Sequence, residues 1–131
     1  MKHGLLLHAE LSQVIAAMGH GEMLVLGDAG LPIPNGPTRI DLAVSPGTPG
    51  IAEVLKAVLS ELAVESTLIA YEALGARDGS LPAWYANHSS MPPQTVSHEA
   101  FKQLCKSARA IVRTGECTPY ANVILVAGVT F

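Results

Sequence analysis

Arg113-Thr-Gly-Glu-Cys-Thr-Pro-Tyr-Ala-Asn122 gathers a guanidinium, a carboxylate, hydroxyls, a phenol and an amide between two apolar runs. Ala110 to Val112 and Val123 to Val126 read as buried strands, and Gly115 and Pro119 fix the backbone between them. A simple turn would need only about two to five small residues. These polar groups suit the ligation of a polyhydroxylated molecule. A long, well hydrogen-bonded surface loop would use the same residue types, so the segment alone leaves both readings open.

His20 stands between Gly19 and Gly21, just after an amphipathic stretch. Histidine both gives and takes protons near neutrality, which suits acid–base chemistry. A surface histidine capping helix carbonyls would explain the same position. Asp28 falls at the carboxyl end of a short apolar run, where open α/β sheets place ligand groups. It could equally bond its own backbone ahead of Gly30. His98 follows Ser97, a good N-cap, and so opens a helix, a place that suits a neutral, hydrogen-bonding ring. Tyr120 and Asn122 offer a phenol and an amide on either side of Ala121, or else close the loop by bonding a strand edge.

Other chemistries lack their motifs. There is no G-x-S-x-G elbow and no H-E-x-x-H. The 5 histidines include no pair at the helical i, i+4 spacing, so no metal site is expected. Gly19-x-Gly21 lacks a third glycine and precedes its strand, the reverse of a dinucleotide fingerprint. No cofactor is expected. Cys105 and Cys117 are isolated, and in a reducing compartment they read as free thiols on a helix face and in a loop. Asn87-His-Ser89 matches a glycosylation acceptor only by chance, in the absence of a secretory signal.

The elements that must position these residues alternate along the chain. Leu11, Val14, Ile15 and Met18 have amphipathic helical spacing, stopped by Gly19. Met23 to Leu26 is an apolar strand, and Arg39 to Val44 alternates as a half-buried one. Pro32, Pro34, Gly36 and Pro37 make an ordered loop between them. Ile51, Val54, Leu55, Val58, Leu59 and Leu62 mark a second helix, and Thr67 to Tyr71 a further strand. Ser97 caps a third helix carrying Phe101, Leu104, Cys105 and Ala108. No repeat or linker interrupts the pattern, which predicts a single three-layer α/β domain over 1–131.

Composition sets the setting. With 49% hydrophobic and 15% charged residues, the chain must build a deep α/β core or hide surface in an oligomer. A net charge of −3 excludes nucleic acid as a partner, since phosphates need clustered Lys and Arg. No apolar run approaches the roughly 20 residues of a membrane span, and Leu5 to Leu7 is too short for a signal peptide. A cytoplasmic protein is expected.

Gly19-His-Gly21, Asp28-Ala-Gly-Leu-Pro-Ile-Pro34, Arg39-Ile-Asp-Leu42, Ser97-His-Glu-Ala-Phe-Lys102 and the segment from Arg113 to Asn122 occur in one order. Together they resemble the ribose pyranase and fucose mutarotase family over nearly the whole chain. The poorest stretch is Leu74 to Thr95, which reads as shortened and rich in Pro, Ser and Trp. The resemblance implies an αβα domain around a central mixed sheet and an isomerase that interconverts the pyranose and furanose forms of D-ribose. It implies His20 as the catalytic proton donor, and Asp28, His98, Tyr120, Ala121 and Asn122 as substrate-binding residues, with no metal. It further implies a ring-like homo-oligomer, a decamer in the family, with sites between subunits. On that basis the C-terminal loop of one chain should complete the site around His20 and Asp28 of its neighbour. Asp28-Ala-Gly-Leu-Pro32 and Thr118-Pro-Tyr-Ala-Asn122 look more like the ribose branch than the fucose one. A fucose-type mutarotase and a non-catalytic sugar-binding protein remain the alternatives.

Overall fold

Side chains of a strand alternate between faces, so a strand covered on both sides needs apolar residues at every position. Leu24-Val-Leu26, Ala110-Ile-Val112 and Val123-Ile-Leu125 meet that demand. The computed structural model describes residues 1–131 and builds them into α1 (Ala9–Ala17), β1 (Met23–Gly27), β2 (Thr38–Asp41), α2 (Ile51–Leu59), β3 (Val64–Ala70), a 3-10 turn (Tyr71–Ala73), α3 (Ala83–Ala86), β4 (Gln94–Val96), α4 (His98–Cys105), β5 (Ala110–Arg113) and β6 (Val123–Ala127).

The strands form one mixed sheet in the order β2-β5-β1-β6-β3-β4. Only β6 runs against its neighbours, pairing antiparallel with β1 and β3; the other pairings are parallel. The sheet therefore has one edge where β1 to β5 all end and β6 begins. It has an opposite edge where those strands begin and β6 ends.

Residue parity sorts the core into two layers. Leu24, Leu26, Val112 and Leu125 pack with Leu11 and Ile15 of α1 and Ile51, Leu55 and Val58 of α2. Val25, Ile111 and Ile124 face the other way, onto Phe101 and Cys105 of α4. Helices on both faces make the three-layer αβα arrangement that the alternation predicts.

Some boundaries differ. The expected strand from Arg39 to Val44 stops at Asp41, because Ala43 donates its amide to the Asp41 carboxylate and turns the chain. β3 begins at Val64, earlier than Thr67. The stretch from Leu74 to Thr95 contributes α3 and the edge strand β4. Its anchor is Tyr85, fully buried, with its hydroxyl 2.6 Å from both Thr67 Oγ1 and the Met91 carbonyl.

Candidate active site

Asp28 is the first residue past β1, at the carboxyl edge of the sheet. Its Oδ1 accepts the Gly30 amide at 2.9 Å, so the turn-forming role is real. Its other oxygen accepts Asn122 Nδ2 at 3.1 Å, while the Asp28 amide donates to Asn122 Oδ1 at 2.8 Å. Asn122 is fully buried and spends its amide on Asp28 rather than presenting it to solvent.

Tyr120 has φ +62, a left-handed conformation rare for a residue with a bulky side chain. Such strain costs on the order of 1–3 kcal/mol and gathers at functional sites. The Asn122 amide closes back onto the Tyr120 carbonyl at 2.8 Å, around a fully buried Ala121. That turn leaves the phenol exposed and sets its ring edge-on to His98, with centroids 5.1 Å apart.

Ser97 Oγ accepts the Ala100 amide at 3.1 Å and caps α4 as the sequence predicts. The His98 amide donates to Glu72, 2.8 Å from Oε2, and the His98 ring lies near-parallel to Phe101. Nδ1 of His98 is buried and has no hydrogen-bond partner within the chain. His98, Tyr120, Ala121, Asn122 and Asp28 thus form one contiguous group where β1, β3 and β4 end and β6 begins.

Most of the polar loop turns inward to hold this group. Thr114 Oγ1 donates to the Gly27 carbonyl at 2.8 Å, and the Ala29 amide to the Glu116 carbonyl at 2.8 Å. Arg113 bonds the Ala29 carbonyl at 3.1 Å and Asp41 at 3.0 Å. The Ala43 amide and then the Arg113 guanidinium hold the Asp41 carboxyl below its usual range. Burial pushes Glu116 up. Amide bonds from Ile51 and Thr118 and the Thr118 hydroxyl outweigh burial, leaving the carboxyl below its ordinary value. Arg113 and Glu116 therefore serve as staples.

His20 lies elsewhere. It sits in the turn Gly19–Glu22 before β1, at the opposite edge of the sheet, with its side chain 60% exposed. Five residues of β1 separate it from Asp28, about 16 Å of strand at about 3.3 Å per residue. Within one chain a single sugar ring cannot touch both. This corrects the expected partition, in which His20 and Asp28 stood together and the C-terminal loop came from a neighbour. Antiparallel pairing of β6 with β1 puts Asn122 beside Asp28 in the same chain and leaves His20 apart.

His20 borders an open cavity of about 440 Å³ with Met18, Glu61, Val129 and Phe131. None of the chain's cavities is lined by Asp28, His98, Tyr120 or Asn122. Sequence reasoning missed Glu65, whose Oε2 is 2.7 Å from His20 Nε2, and Glu72. Their contacts join residues 45 and 26 positions apart, which no local pattern encodes. Cys105 lies inside the core, where burial raises its thiol to about 11, so it is no nucleophile.

The chain matches the model of the RbsD / FucU transport protein family over residues 1–130. It is 65% identical over 131 residues to a D-ribose pyranase of Paracidovorax citrulli, covering all of both chains. Bacillus subtilis RbsD, solved in complex with D-ribose, is 42% identical with a TM-score of 0.90, covering 100% of this chain and 99% of the other. A fucose mutarotase from Streptococcus pneumoniae, solved with L-fucose, is 27% identical with a TM-score of 0.76 over all of both chains. The chain belongs to the RbsD / FucU family.

Proposed function

We propose that this protein is an isomerase that interconverts the pyranose and furanose forms of D-ribose, in the cytoplasm, at sites built from two chains. The observation that carries the reading is the contiguous group of Asp28, Asn122, Tyr120 and His98. It holds a carboxylate, a strained tyrosine and an unpartnered histidine nitrogen at one edge of the sheet. These are the donors and acceptors that sugar hydroxyls need, and a buried polar atom without a partner calls for one. The ribose complex of the 42%-identical relative favours ribose as the ligand over fucose.

The chemistry asks little beyond proton transfer. The anomeric hydroxyl gives its proton to His20 as the bond from C1 to the ring oxygen breaks and the C1 carbonyl forms. The imidazolium returns the proton to the released oxygen. Closure reverses these steps, with a different hydroxyl adding to C1. Asp28, His98 and Tyr120 hold hydroxyls in place, with Asn122 fixing Asp28 from behind.

The separation of His20 from Asp28 supports a site in which His20 of one chain faces the hydroxyl-binding group of the next. Contacts between two different surfaces generate a ring where the rotation between neighbours closes, and the family resemblance implies a decamer. Exposed Leu5, Leu7, Val129 and Phe131 give such an assembly apolar surface to cover.

Saturation transfer between pyranose and furanose signals tests the activity, with D-ribose and L-fucose run side by side. The protein should accelerate ribose ring exchange, and His20→Ala should lose about a hundredfold or more of that enhancement. Faster exchange of fucose anomers with none for ribose forms would transfer the assignment to the fucose branch. A fully active His20→Ala would remove His20 from the chemistry.

A further inference from the structure

Glu65 supplies the one side-chain hydrogen bond that His20 makes, 2.7 Å from Oε2 to Nε2. The pairing of β3 with β6 runs Val64↔Ala127 and then Ser66↔Val126, so Glu65 is the extra residue of a β-bulge. Bulges re-aim side chains and are over-represented beside active sites. Facing the bulge, a Cβ on Gly128 would lie 3.1 Å from the Glu65 Cβ, so glycine there gives the bulge its room. His20 is fixed as firmly from its own side. Gly21 takes φ +81 and donates its amide to the Ala127 carbonyl at 2.8 Å, while the Ala127 amide donates to Glu22 at 2.8 Å.

The other carboxylates nearby are engaged. Glu22 accepts the Gly19 amide at 2.8 Å, and Glu61, on the same cavity, pairs with Lys2 at 2.8 Å. Glu65 is left to serve His20. An ionised carboxylate only accepts hydrogen bonds, so the imidazole must donate from Nε2, and the neutral ring then keeps its lone pair on Nδ1.

We propose that Glu65 is the positioning residue of His20, holding a proton on Nε2 so that Nδ1 is the atom that exchanges protons with the sugar. This rests on the reading of His20 as the acid–base group. When Nδ1 takes the anomeric proton the ring becomes imidazolium, and its bond to Glu65 becomes a shorter, stronger, charge-assisted one. Glu65 thus helps most when the charge is present.

The test compares wild type, Glu65→Gln and Glu65→Ala by imidazole nitrogen NMR near pH 8.5, above the ordinary histidine range, and by ribose exchange. Wild type should show His20 protonated on Nε2. Glu65→Gln should keep that tautomer through its amide carbonyl, and Glu65→Ala should give a mixture. Glu65→Ala should exchange ribose about 10–100-fold more slowly, the size of loss that follows removal of the hydrogen-bond partner of a metal-bound histidine. Its apparent ribose affinity should hold within about twofold, because Glu65 bonds His20 and is not one of the residues that hold the sugar's hydroxyls. Glu65→Gln should fall between. An unchanged tautomer in Glu65→Ala, a wild-type rate, or a loss confined to affinity would overturn the proposal. So would a common fall in melting temperature of both variants with the tautomer intact. Absence of ribose exchange in wild type would sink the functional reading alone, since the tautomer comparison needs no turnover.

Discussion

The two edges of the sheet are built on opposite plans. At the carboxyl edge Asp28 is held by Gly30 and by both ends of the Asn122 amide, and the loop behind it is stapled through Thr114, Arg113 and Glu116. At the amino edge His20 has one side-chain partner, Glu65, and the two side chains are 60% and 44% exposed. The dense edge suits groups that must keep a fixed geometry toward hydroxyls. The sparse edge suits a group that must move protons. On the proposed reading, fixed positioning and proton transfer are separated by the length of a strand, and bringing the two edges of different chains together would join them.

Stability measurements should break this comparison if it is wrong. The largest effect belongs to Asn122→Ala, which strips the Asp28 amide and carboxylate of their buried partner. It should cost about 1–3 kcal/mol in urea unfolding, together with weaker ribose binding by calorimetry. His20→Ala, at the exposed edge, should stay within about 0.5 kcal/mol of wild type. Equal losses from the two would erase the distinction between the edges.

A smaller effect belongs to Glu116. Its folded-state carboxyl lies below the ordinary value of 4.5, so its stabilisation is present above that pH and is lost as pH falls through the folded value. Unfolding of wild type and Glu116→Gln at neutral and acid pH should show the variant less stable at pH 7. The gap should narrow steadily below about pH 4.5. A gap that is constant with pH would mean that Glu116 acts through packing rather than charge.

Much of the architecture was legible in the sequence. Continuous apolar runs found β1, β5 and β6, and helical spacing found α1, α2 and α4, because each run or stripe is long enough to be read. β4, with three residues and none of them buried, has no such period, and four-residue α3 lies among prolines and serines. Residue types and the family resemblance also singled out Asp28, His98, Tyr120, Ala121 and Asn122, which the fold brings together at one edge of the sheet. Partnerships across the sheet were hidden. That Asn122 meets Asp28, that Arg113 and Glu116 turn inward, and that Glu65 bulges toward His20 all follow from strand order and register, which join residues far apart in the chain. The position of His20 before β1 and Asp28 after it was plain in the sequence. Its meaning emerged only once β6 had brought the loop to one edge alone.

The central claim is that each site joins His20 of one chain to the Asp28 group of another, and subunit mixing tests it most directly. His20→Ala and Asp28→Asn chains, each inactive alone, are combined in equal amounts under conditions that exchange subunits. Random assembly should restore intact sites at roughly a quarter of their number, and ribose ring exchange in proportion. No recovery despite mixing proven by mass spectrometry, or a wild-type protein that is both active and monomeric by light scattering, would contradict the account.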